Sequence, residues 1–265
     1  MDLPEAQTVE RWAWDYVTST SLAHKLAPPP VPDRWEDSPP VRRIPAPGRP
    51  PELRVVPRAA KKRGLGSPGG RAQAMHNFLH HELQAAELMM WALLAFPGAP
   101  AAFRAGLVRI ACDEVRHMNL YAGEIARLGH EVGDFVVRDW FWERVPACPD
   151  PLAFVAVMGL GLESANLEHA SAFAARFREA GDPAAARVQE LVGREEILHV
   201  RFGASWFVTW SGVLNFESWR RALPPPLSPW LMRGRPLARQ ARLLAGFTPS
   251  FLDALDAWQP DAPGF

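Results

Sequence analysis

Cysteine is scarce in this 265-residue chain: Cys112 and Cys148 are the whole supply, and neither sits in a paired motif. Two cysteines cannot staple a chain this long, so a disulfide framework is excluded and a reducing compartment fits. Lysine is scarce too: Lys25, Lys61 and Lys62 are the only lysines among 29 basic residues. That bias reads as GC-rich coding rather than as a function. No stretch approaches about 20 uninterrupted apolar residues, which excludes a helical membrane span. The start, Met1-Asp2-Leu3-Pro4-Glu5, has no basic segment followed by an apolar run, so no secretory signal is read there and the cytoplasm is the expected location. Net charge is missing as well, with 29 basic and 29 acidic residues. Bulk attraction to nucleic acid or to an anionic membrane therefore does not follow.

What the chain has is apolar content and proline. Hydrophobic residues make up 48%, enough for one globular core with extensions. Residues 6–26 read as a helix with Val9, Trp12, Ala13, Tyr16 and Val17 on one side. Proline recurs from Pro28 to Pro68, so residues 28–70 read as an extended arm, and the Lys61-Lys62-Arg63 cluster within it as a solvated turn. Four helical segments follow, near 71–96, 100–128, 150–180 and 183–210. Pro97-Gly98, Gly129 and Gly181-Asp182-Pro183 punctuate them. Short connections make two antiparallel hairpins, and the stretch 129–149 is long enough to cross between them. The expected fold is all-α, a ferritin-like four-helix bundle at 71–212, with an arm at 1–70 and a packed extension at 213–265.

Two Glu-x-x-His sequences carry the chemistry: Glu114–His117 and Glu196–His199. Residues three apart share a helix face, so each presents a carboxylate and an imidazole to one point. With 17 Glu and 8 His, chance supplies roughly 0.5 occurrences (17 × 8 / 265), so frequency decides nothing. Position does. Glu114 and His117 interrupt the apolar stripe Phe103, Leu107, Ile110, Tyr121, Ile125. Glu196 and His199 interrupt Val188, Val192, Phe202, Trp206. A carboxylate in a core stripe is costly unless it is paired or binds metal.

The other two helices offer carboxylates in matching pairs, Glu82 with Glu87 and Glu163 with Glu168, both pairs 81 residues apart. The hairpin turn near 98 places about residues 80–83 opposite the Glu114 motif, which selects Glu82. The second hairpin does not decide by counting. The stripe Leu160, Glu163, Leu167, Ala170, Ala174, Phe177 favours Glu163 over Glu168. The candidate metal ligands are thus Glu82, Glu114, His117, Glu163, Glu196 and His199, with Glu87, Glu168, His81 and Tyr121 as supporting candidates. Four carboxylates and two imidazoles suit two iron ions, with manganese or a mixed pair as the alternative. The competing reading is a buried ion-pair network with Arg109, Arg116 and Arg201.

At these positions the sequence resembles the ferritin-like family called domain of unknown function 455. The stretches that carry the resemblance include His80-His81-Glu82-Leu83, Asp113-Glu114-Val115-Arg116-His117, Trp140-Phe141-Trp142-Glu143, Gly161-Leu162-Glu163, Glu195-Glu196 with His199-Val200-Arg201-Phe202, and Met232-Arg233-Gly234. The resemblance implies the same six ligands and names no reaction. Trp140-Phe141-Trp142 is expected to anchor the core, and Arg233, Arg235, Arg239 and Arg242 to form a solvated basic face.

The resulting expectation is a di-iron oxidase or hydroxylase that uses O₂ on an unidentified small organic substrate. A modified RNA base stays open as substrate, although zero net charge disfavours it. The alternative is a non-catalytic or iron-handling protein.

Overall fold

The computed structural model describes residues 7–58, 61 and 63–260. They form two compact units, Met1–Pro146 and Ala147–Phe265. Both are helical; among the described residues the extended pairing is a single bridge between Val55 and Val137, within the first unit. No helix among these residues is long and apolar enough to cross a membrane.

The first unit opens with α1 (Val9–Thr18) and α2 (Leu22–Leu26). One helix was expected over 6–26; its first residue lies outside the described ones, and the rest breaks at Ser19–Ser21. The Ser21 hydroxyl accepts the His24 N–H, and a serine that caps locally offers the backbone an alternative to continuing the helix. The Pro-rich arm follows. Of the Lys61-Lys62-Arg63 cluster, Lys62 lies outside the described residues. The arm is tied down by backbone groups. Arg42 N–H donates to Leu94 O, Gly48 N–H to Val17 O, and the Trp91 indole N–H to Ile44 O at 3.0 Å. Ser67 then caps α3 (Pro68–Ala95), with Pro68 in the first turn where its missing N–H costs nothing. From Leu83 to Ala95 every α3 residue is buried, because α1 and α4 (Ala101–Arg127) both pack against this helix.

The second unit begins with α5 (Pro151–Val157), runs through a π-turn at Met158–Glu163, and continues as α6 (Ser164–Glu179). The single helix expected over 150–180 is therefore widened in its middle. Two glycines let neighbouring elements approach it closely. A Cβ on Gly159 would lie 2.8 Å from the Gly203 Cα, and one on Gly161 would lie 2.6 Å from the Met232 sulfur. Asp182 caps α7 (Pro183–Ser211) through the Ala185 N–H at 3.1 Å. The remaining chain packs back as α8 (Phe216–Ala222), a 3₁₀ turn at Pro229–Met232, α9 (Arg239–Leu244) and α10 (Pro249–Ala257).

Candidate metal centre

The residues the stripes pointed to are buried, and so are Glu87 and Glu168. On α3, Glu82 is 4% exposed; on α4, Glu114 and His117 are fully buried. One ligand atom from each of these three lies within 4.8 Å of the others, close enough for a common ion. His117 Nδ1 stands 3.1 Å from Glu114 Oε2, so the i, i+3 spacing brings imidazole and carboxylate together as expected. Without a cation, two buried carboxylates so close would repel and resist ionisation. A divalent ion removes that difficulty, and a donor set of carboxylate oxygen and imidazole nitrogen fits iron or manganese. This buried carboxylate–histidine group could hold a metal ion.

The second unit repeats the His–Glu pair. Glu196 is fully buried and His199 is 4% exposed, and His199 Nδ1 lies 3.2 Å from Glu196 Oε2. Glu163, also 4% exposed, closes the π-turn immediately before α6.

Glu87 and Glu168 are engaged elsewhere. Glu87 Oε1 receives Lys25 Nζ at 2.8 Å and Arg49 Nη1 at 2.6 Å, and Glu87 Oε2 accepts the Trp142 indole N–H at 2.8 Å. Burial alone would raise its pKa, yet the two cations bring it below the usual carboxylate value. Arg49 also grips Asp139, whose Oδ1 meets His80 Nε2 at 2.9 Å. Glu168 is clamped from two sides: Arg242 donates Nε and Nη2, each at 2.7 Å, and the N–H groups of Gly234 and Ala238 complete its shell. His81 stacks on Phe141 with centroids 5.2 Å apart. Tyr121 is buried and tilted against Phe78 at 5.6 Å.

Sequence reasoning missed Lys25, Arg49, Asp139 and Ser164. Only Lys25 left a signal, as a lone lysine inside a segment read as amphipathic. The solvated basic face expected in the tail holds for Arg235 and Arg239, which are exposed, and is corrected for Arg233 and Arg242, which are buried. Arg242 is fully buried against Glu168, Arg239 pairs with Asp253 at 2.6 Å, and Arg233 donates to the carbonyls of Leu255, Asp256 and Trp258. Arginine forks suit carboxylates and helix-terminal carbonyls, so these guanidinium groups hold the tail together.

A family profile described as "Protein of unknown function (DUF455)" matches residues 5–253. The chain belongs to the DUF455 family. A relative from Haemophilus influenzae, itself described as an uncharacterized protein, is 28% identical over 163 residues, covering 58% of this chain and 57% of its own length. This DUF455 chain thus spans little more than half of that relative. No solved structure matches it. The family description supplies no activity, so the reading of this DUF455 member rests on its site.

Proposed function

We propose that this protein is a dimetal carboxylate enzyme, a di-iron oxidase or hydroxylase acting on a small organic substrate with O₂. In this reading α3, α4, the α5–α6 rod and α7 assemble as a ferritin-like four-helix bundle. Glu82, Glu114 and His117 then share two ions with Glu163, Glu196 and His199. The observation that carries the proposal is the buried triad Glu82, Glu114 and His117 with ligand atoms inside 4.8 Å. The recurrence of its His–Glu pair 82 residues later, at 3.1 and 3.2 Å, supports a second half of the same kind.

Bound iron would supply the electrons that reduce O₂. The chain's own contribution is to hold and isolate. The carboxylates neutralise the ions, and each histidine fixes its neighbouring glutamate. Buried Leu79, Leu83, Leu107 and Met118 occupy adjoining positions on α3 and α4 and exclude water from the donors. The Lys25–Glu87–Arg49–Asp139–His80 network holds α3 through its charged partners on the arm and crossover, as groups outside a site orient those within it. A supply of two cysteines in 265 residues favours a reducing cytoplasm. Balanced charge favours a small substrate over RNA.

The test is metal content, with absorption recorded as anaerobic Fe(II) protein meets air. Two irons per chain, a new near-ultraviolet band and substrate-dependent O₂ uptake are expected. Unchanged metal content in Glu114→Ala and Glu196→Ala variants would sink the site. Iron oxidation with no organic co-substrate would shift the assignment to iron handling.

A further inference from the structure

The C-terminal tail converges on the π-turn that precedes Glu163. A π-turn carries one residue more than an α-turn and leaves the ordinary i→i+4 ladder locally unmatched, so it persists only where other groups support it. Here support comes from outside the helix. Below the turn, Ala156 O accepts the Trp219 indole N–H at 2.9 Å. Above it, the Ser164 N–H turns to Gly161 O, and the Ser164 hydroxyl donates to Leu160 O at 2.5 Å. That hydroxyl is itself held by Arg242 Nη1 at 3.0 Å. The same guanidinium grips Glu168 one turn further along α6. Met232 rests on Gly161, and Gly203 of α7 on Gly159. Trp219, Ser164 and Arg242 are all fully buried.

We propose that Ser164 and Arg242 are positioning residues: with Trp219 they lock the π-turn open and thereby aim the Glu163 carboxylate. This gives the tail a role in the metal centre, and it rests on the reading of Glu163 as a ligand. Loss of the extra residue's support lets the turn relax toward α-helix. Each residue of an α-helix turns the chain by about 100°, so Glu163 leaves its direction while Glu196 and His199, on α7, keep theirs. The hydrogen bonds of Ser164 and Arg242 run to backbone carbonyls, to Glu168 and to each other, and their effect is on geometry.

Cobalt(II) is the probe, titrated into metal-free full-length protein, with visible d–d absorption and bound-metal stoichiometry as readouts. Wild type should take two ions, and Glu163→Gln should weaken one of them. Ser164→Ala, and the paired change Glu168→Gln with Arg242→Met, should weaken that same ion about 10- to 100-fold, the usual range for groups that orient ligands. They should also alter its d–d spectrum at unchanged helical circular dichroism. Ser164→Thr, which keeps the hydroxyl, should restore the wild-type spectrum. Should the paired change prevent folding, the comparison of Ala with Thr at 164 decides. Wild-type spectra and affinity in Ser164→Ala, beside a weakened Glu163→Gln, would overturn the positioning role alone. Glu163→Gln binding cobalt as wild type does would overturn the ligand reading, and the positioning role with it.

Discussion

His76 offers a perturbation whose size follows from its surroundings. It is fully buried on α3, and its Nε2 accepts the Gly133 N–H at 2.8 Å. A proton on that nitrogen would turn two N–H groups against each other. Burial first, and then the neighbouring His80, push its pKa from 6.5 down to about 4. Because the folded pKa lies below the unfolded one, the unfolded chain takes up this proton first as pH falls. The stability at stake is fully present above about pH 6.5 and is lost progressively toward pH 4. A shift of this size corresponds to about 3 kcal/mol across the window. His76→Gln keeps a neutral acceptor for Gly133 and removes the titration. Denaturant unfolding at pH 7.5, 6, 5 and 4 should show wild type losing about 3 kcal/mol more than His76→Gln over that range. Parallel loss in the two proteins would refute the reasoning, since it would mean that His76 carries its proton equally in both states.

Three further outcomes follow from packing and charge. Glu87→Gln leaves Lys25 and Arg49 facing a neutral group in a buried setting, and should cost about 3–5 kcal/mol in the denaturant midpoint; Glu143→Gln, on an exposed pair with Arg138, should cost under about 1 kcal/mol. Gly203→Ala should lower stability by about 1–3 kcal/mol, because its Cβ would lie 2.8 Å from the Gly159 Cα, a backbone atom that cannot rotate away; an unchanged melting temperature would show that α7 is not seated on the π-turn.

Much of the local structure was legible because it is encoded locally. The four long helical segments begin and end within a few residues of their expected bounds, since Pro68, Pro183, Ser67 and Asp182 act on the turns they adjoin. The Glu-x-x-His spacing alone brings each His–Glu pair to about hydrogen-bond distance. The break between α1 and α2 was missed, because a Ser21 cap is no stronger a signal than any other serine.

Long-range choices were another matter. Hairpin counting singled out Glu82, yet Glu82 and Glu87 are both buried glutamates on one helix. What distinguishes them is that Lys25 and Arg49 arrive from 62 and 38 residues upstream to neutralise Glu87. Glu163 and Glu168 divide in the same way, through Arg242. The sequence by itself determined the helices, the capping, and which carboxylates and imidazoles share a face, because those depend on neighbours within a turn or two. Only the tertiary structure decided which carboxylates are matched by cations, and where the α5–α6 rod widens. Both depend on groups that the chain brings back from far away, and no local pattern records their arrival.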